Sequence, residues 1–156
     1  PLGGLQSGYA RQYSPDEAFT VFLGGHLVGN LKFSIPETKQ ILVDLNQWLV
    51  DHDFYFYSTK TGSISANSNL KVKFYLLTIS NQALRRDKTR GLSYRSKGVI
   101  SVDAMNRHGV RMFREQFIES AVGPQDSESC PTNFESCRML NITELRRKFL
   151  DLLQGQ

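Results

Sequence analysis

The strongest constraint on this chain is one amphipathic helix that cannot be stable alone. The helix is predicted over 36–51, because Pro36 presets a first helical turn and Glu37 suits the positive end of the helix dipole. Ser34 or Ile35 supplies the cap. Five apolar residues recur at helical spacing and form one face: Ile41, Leu42, Leu45, Trp48 and Leu49. Because such helices gain most of their stability from tertiary packing, a sheet or a second helix must cover this face.

Several segments before and after this helix have the character of strands. Residues 18–23 and 26–33 are predicted as two strand arms separated by Gly24-Gly25, and residues 54–57 begin another strand. Residues 59–69 are polar and predict a loop. The next strand shows period-two alternation, with Leu70, Val72, Phe74 and Leu76 alternating with Lys71, Lys73, Tyr75 and Leu77.

The second half of the chain predicts a strand at 99–102, a turn at 106–109 and a second helix at 142–153. Residues 110–118 fit either a strand paired across that turn or a helix, and the turn favours the strand. Residues 120–138 predict a long acidic loop, and Asn141 with Glu144 resembles a capping box.

The order of these elements predicts an α+β domain with a mostly antiparallel sheet and two covering helices. A chain of 156 residues suits one domain, which we place at 18–156. Residues 1–17 are expected to be an extended lead-in, and its start, 1–4, has the composition of a cleaved expression tag. Cys130 and Cys137 fit no common zinc spacing, and we expect reduced thiols.

The main functional signal is a basic segment, 85–97, between two strand-like runs. It carries six cations, Arg85, Arg86, Lys88, Arg90, Arg95 and Lys97, against one acid, in a chain of net charge +4. Concentrated positive charge attracts nucleic-acid backbone or acidic lipid, and Arg binds phosphate through two donors. The interleaved Tyr94 and Leu92 suggest stacking or shallow insertion, and Gly91, Ser93 and Ser96 suggest a mobile loop. We predict that the six cations bind phosphate or acidic lipid.

No pattern in the chain indicates an enzyme, a cofactor or a metal site. Asp51-His52-Asp53 ends the first helix, where adjacent side chains point in different directions and do not converge on one proton. His26 and His108 are isolated in sequence. No apolar run reaches the roughly 20 residues that cross a bilayer, so any membrane contact is expected to be peripheral.

An aromatic run at 19–23, a helix ending in Trp48-Leu49-Val50-Asp51-His52, an aliphatic strand at 74–79 and a long basic connection together resemble the globular core of rhabdovirus matrix proteins. The likeness covers about 18–102. It implies a compact, basic, non-enzymatic viral structural protein that self-associates, condenses the ribonucleoprotein and contacts an acidic membrane surface. It also implies a location inside the host cell, in the cytoplasm or nucleus, and in the virion.

The sequence leaves a second function open. The last helix presents a stripe of Leu145, Phe149 and Leu152 that would dock a partner if it were exposed. The chain would then be a protein-interaction module, such as a viral suppressor or a host adaptor. An enzyme would require His26, His52 or His108 to meet carboxylates in a pocket.

Overall fold

The computed structural model describes residues 13–56, 72–82, 91–105, 107–123 and 134–155. Their elements are α1 (Pro15–Gly29), α2 (Ile35–Asp51), β1 (Val72–Gln82), β2 (Leu92–Met105), β3 (Arg111–Val122), β4 (Phe134–Asn141) and α3 (Ile142–Gln154). The strands form one antiparallel sheet in the order β3-β2-β1-β4. The predicted α+β class is confirmed, with three helices in these ranges where two were predicted.

Helix α1 replaces the two strand arms predicted over 18–23 and 26–33. The Ser14 hydroxyl accepts a hydrogen bond from the Glu17 N–H (3.2 Å), and the Glu17 carboxylate accepts one from the Ser14 N–H (2.8 Å). This capping box starts a helix, with Pro15 in its first turn. One residue per turn is buried: Phe19, Leu23 and Leu27. The strand prediction was wrong because cap and four-residue spacing outweighed the β propensity of single residues.

The predicted lead-in also changes, because 15–17 belong to α1 and 1–12 lie outside the described residues.

Helix α2 confirms the prediction closely. Ser34 is its N-cap and forms the same reciprocal capping box, here with Glu37. The predicted apolar face is buried at Ile41, Leu45, Trp48 and Leu49, and Leu42 packs against the core.

Residues 54–56 are not a strand, contrary to prediction. Asp53 has a φ of 57°, which turns the chain sharply after α2. Phe54 is then buried and stacks on Trp48 with ring centroids 5.4 Å apart. The Phe56 N–H donates to the Asp16 carboxylate (2.6 Å), so this segment ties α2 back to α1. Tyr57 and the loop predicted at 59–69 lie outside the described residues.

The β2–β3 hairpin confirms the strand interpretation of 110–118 over the helical one. Strands β2 and β3 pair continuously from Met105↔Arg111 to Tyr94↔Val122. Gly109, at the turn, has a φ of 72°, a conformation that glycine adopts without strain. The acidic loop predicted at 120–138 was too long, because β3 continues to Val122 and 134–138 belong to β4.

One face of the sheet is buried under α2 and α3. Ile79, Tyr94 and Val122 are register partners on β1, β2 and β3, and all three are buried. Leu77 pairs with Leu140 in the same core, which α2 and α3 complete. In β1, Leu77 and Ile79 are buried in this core, Tyr75 packs against it, and Ser80 is buried as well. The register of β1 with β2 shifts between Val72 and Phe74. The alternate residues point to the opposite face.

The capping box of α1 gives a direct test of this helix. Ser14→Ala removes an acceptor for the Glu17 N–H, and we expect the free energy of unfolding to fall by about 1 kcal/mol in urea denaturation. Ser14→Asp, which caps equally well, should retain wild-type stability. Equal losses in both variants would contradict the capped helix.

Candidate anion-binding face

The sheet surface turned away from the helices is the candidate site, and we call it the outer face. On β2 and β3, Lys97 is the register partner of Glu119, Arg95 of Ala121 and Val99 of Phe117. On β1, Leu76 and Thr78 lie opposite Lys97 and Arg95. Because alternate strand residues point to opposite faces, these side chains share the surface opposite buried Tyr94 and Leu77, on which Val99 is itself buried. The outer face therefore brings Arg95, Lys97, Phe117 and Glu119 together.

One carboxylate serves two cations on this face. The Glu119 carboxylate lies 3.6 Å from the Arg95 guanidinium and 3.8 Å from the Lys97 ammonium. The three side chains are 50%, 48% and 36% exposed respectively, so each ion pair is weak and screened by solvent. The two cations therefore share Glu119, and both side chains are exposed enough for an anionic partner to reach them.

An aromatic ring lies within the cationic cluster. Phe117 is 50% exposed, and the Lys97 ammonium lies 3.9 Å from its ring centroid. An exposed cation–π contact of this kind contributes about 0.5–1 kcal/mol and holds the ammonium over the ring. Phe117 was not identified as a site residue from sequence. The signal was its register with β2, which depends on pairing across a hairpin.

The six predicted anion-binding residues divide into two groups. Arg85, Arg86, Lys88 and Arg90 lie outside the described residues. Arg95 and Lys97 lie on β2 and not in a loop, because the strand begins at Leu92. Their outward orientation is set by strand alternation rather than by loop adaptation.

The prediction that 91–97 is a mobile loop with an available Tyr94 was wrong. Tyr94 is 1% exposed, and its hydroxyl donates to the Asp44 carboxylate on α2 (2.6 Å). Ser93 is buried, and Ser96 is buried within 2.7 Å of the Ser120 hydroxyl. Leu92 packs against the core. These residues anchor the strand that carries the cations.

The C-terminal stripe proposed for partner docking is largely core. Leu145 and Phe149 are 7% and 5% exposed, and Phe149 contacts Phe19 and Phe22 on α1. Only Leu152 of the three is exposed. The exposure that the second function requires is absent at Leu145 and Phe149, because α1 is a helix that packs against α3. Asn141 caps α3 as predicted, accepting from the Glu144 N–H (3.0 Å).

The three histidines lie on different elements. His52 stacks on Trp48 (4.2 Å between centroids), and its Nδ1 lies 2.8 Å from the Trp48 carbonyl. His26 on α1 lies 2.7 Å from the Asn30 amide, and burial, with a smaller contribution from Lys148, lowers its pKa. His108 is in the β2–β3 turn. Within the ranges that the structure describes, no group of three His, Cys, Asp or Glu is arranged to hold a metal.

A cleft of about 540 Å³ lies beside α1 and α2 and includes Asp16, Glu17 and Tyr55. Its carboxylates already have structural roles. Asp16 accepts from the Phe56 N–H, and Glu17 belongs to the α1 capping box. The cleft therefore offers a weaker site than the outer face.

No family model, curated protein or solved structure matches this chain. Among the described helices, none combines the length and apolarity needed to cross a bilayer. The resemblance to rhabdovirus matrix cores loses one of its elements, because 19–23 are part of α1. The helix that contains Trp48 and ends at Asp51, and the strand at 74–79, are present.

Tyr94 gives a pH test of the anchor beneath the site. Burial, followed by the Asp44 hydrogen bond, raises its pKa above the ordinary value of 10.0. A pKa higher in the folded than in the unfolded protein means that this stabilisation is fully present below about pH 10 and is lost as pH rises further. We expect the free energy of unfolding to fall above about pH 10, and less steeply in Tyr94→Phe.

At neutral pH the same variant should lose about 1–2 kcal/mol, because it lacks the buried hydrogen bond. Tyr55→Phe is the control, since the Tyr55 hydroxyl makes only a 3.3 Å contact with Thr20. Urea titrations across alkaline pH measure both effects. If the free energy of unfolding fell equally steeply with pH in the wild type and in Tyr94→Phe, the raised pKa of Tyr94 would be contradicted.

Proposed function

We propose that this protein is a non-enzymatic, matrix-like structural protein that binds single-stranded RNA of a nucleoprotein through the outer face. The observation that carries the proposal is Arg95, Lys97 and Phe117 side by side on an exposed sheet surface with one shared carboxylate. The proposal includes an intracellular setting and assembly into a virion. The proposal keeps the role predicted for the basic segment 85–97. Arg95 and Lys97 are the cations of that segment that the structure describes.

The charge supports a polyanionic partner. Four further cations, at 85, 86, 88 and 90, precede β2 in the sequence, and the whole chain has a net charge of +4. Exposed ion pairs such as those of Glu119 cost little to exchange for phosphate. Release of counterions from a nucleic acid would then supply most of the binding free energy.

The aromatic ring supports single-stranded RNA over an acidic membrane. Surfaces that bind single strands combine cations for the backbone with exposed rings on which bases stack. Phe117 presents such a ring on a sheet, beside the Lys97 ammonium. A lipid headgroup offers charge but no planar base. Peripheral binding to an acidic membrane, the other partner predicted from sequence, is therefore the second arm of the test.

The cations are tested by Arg95→Ala combined with Lys97→Ala. If both contact phosphate, the double variant should weaken filter binding of single-stranded RNA and reduce the log–log salt slope by up to about 1.4. Lys39→Ala with Lys148→Ala, exposed cations on α2 and α3, is the matched control and should leave the slope unchanged. An unaltered slope in the outer-face variant would remove the proposal.

The ring is tested by Phe117→Ala. Loss of one stacked base should weaken single-stranded RNA binding by about 5- to 150-fold, at constant salt. Val43→Ala, which truncates another exposed apolar side chain on α2, should have no effect. Flotation with anionic vesicles is the parallel measurement. Binding to vesicles but not to RNA would identify a membrane protein and contradict the RNA assignment.

A further inference from the structure

Strand β3 forms one edge of the sheet, and its outer side has no partner strand within the described residues. Residues 116–121 are all exposed along this edge. An edge strand presents a row of backbone N–H and C=O groups that can pair with another strand. The occupant of this edge is therefore expected to be a β-strand.

Two of the usual protections of an edge, short length and a bulge, are missing from β3, which carries four charged residues. It is 12 residues long, pairs with β2 without a register shift, and contains neither Pro nor Gly. Strand β4, at the opposite edge, is only 8 residues long, and its pairing with β1 is irregular between Asn81 and Gln82. Short length and bulges are two of the devices that block unwanted pairing. The longer, regular β3 is thus the better template.

The middle of β3 is also apolar and exposed. Phe117 and Ile118 are 50% and 47% exposed, and they follow one another, so they project from opposite faces of the edge. Adding a strand alongside would cover part of both. Single exposed apolar residues are common, but two in succession on an unpaired edge indicate an interface.

We propose that β3 pairs antiparallel with β3 of a second copy of this chain, centred on Gln116, to give one continuous eight-stranded sheet. Antiparallel pairing of identical strands is symmetric about its midpoint and forms a closed dimer. Centred on Gln116, it pairs 111–121 of one copy with 111–121 of the other. Self-association was predicted from the family resemblance; this edge is argued from its geometry alone.

The sequence of β3 is complementary to itself in this register. Arg111 lies opposite Ala121 and diagonal to Glu119 of the second copy, about 7–8 Å away and within reach of long side chains. Phe117 of one copy lies diagonally across the two-fold axis from Phe117 of the other copy, at a separation that two aromatic rings can span. No residue stands directly opposite a like charge in 111–121. A second copy therefore fits this edge by charge and by apolar contact.

The two-fold axis lies perpendicular to the sheet, so both outer faces would point the same way. Arg95 and Lys97 of each copy would then flank the dimer axis on one surface. This arrangement would place the cations of both copies on one surface with Phe117 at the dimer contact, so Phe117→Ala is compared with the wild type in RNA binding at concentrations where the wild type is monomeric. The pairing of β3 does not depend on RNA binding, and each proposal can fail without the other.

The interface is tested first by sedimentation velocity of the full chain over a wide concentration range. We expect the wild type to shift from monomer to dimer mass as concentration rises. The Ile118→Lys variant should remain monomeric, because a charged side chain on an edge strand disfavours pairing with another strand. Met139→Lys is the matched control, because Met139 is an exposed apolar residue on β4 and its variant should dimerise like the wild type.

The register is tested by cross-linking in a Cys130→Ser, Cys137→Ser background. Gln116→Cys places two thiols opposite each other, at about 5 Å between Cα atoms, and a short bismaleimide should join the copies. Ala121→Cys, also exposed on β3, leaves its thiols about 30 Å apart and should not cross-link. Equal cross-linking of the two variants would overturn the register.

The proposal is overturned if the wild type stays monomeric at every concentration, if Ile118→Lys dimerises normally, or if Met139→Lys abolishes the dimer. Circular dichroism of each variant establishes that it is folded. Filter binding of dilute Ile118→Lys to single-stranded RNA separates the two proposals. If monomeric Ile118→Lys still binds RNA, the β3 edge serves self-association only. Loss of the dimer in this variant is not evidence against RNA binding by the outer face.

Discussion

The structure depends on the burial of one sheet face beneath helices. Leu77, Ile79 and Leu140 contribute that face from β1 and β4, and α2 and α3 cover it. Side chains alternate between the two faces of a strand, so a residue whose two neighbours point into the core must point to the outer face. Tyr94, hydrogen-bonded to Asp44, fixes β2 in this way. The cations of the outer face are positioned by the core beneath them.

The same constraint explains what could be predicted from sequence. Helix α2 was predicted nearly to the residue, because its cap, proline and apolar spacing all indicate one structure. The β2–β3 hairpin followed from a turn ending in Gly109. Helix α1 was missed, since its Phe-Thr-Val-Phe run has strand propensity, which outweighed the Ser14–Glu17 capping box and the four-residue spacing of Phe19, Leu23 and Leu27 in the prediction. Strand β4 was missed because it is short and polar, and its pairing partner lies far away in sequence.

The site was predicted in part. Arg95 and Lys97 were identified by their charge, which is a property of the sequence itself. Phe117 and Glu119 were not, because they join these cations only through strand pairing, which no local pattern encodes. The buried role of Tyr94 was also hidden, since an aromatic among cations has the same appearance in a loop and in a strand. The charge of individual residues could be predicted from the sequence, whereas the contacts between distant segments could not.

Photochemical cross-linking of the wild-type protein to single-stranded RNA, followed by mass spectrometry of the attached peptides, is the decisive experiment for RNA binding at the outer face. Nucleotide adducts are expected on the strand segments of the outer face, with Phe117 among the modified residues. Adducts confined to α1, α2 or α3, with none on β2 or β3, would contradict it.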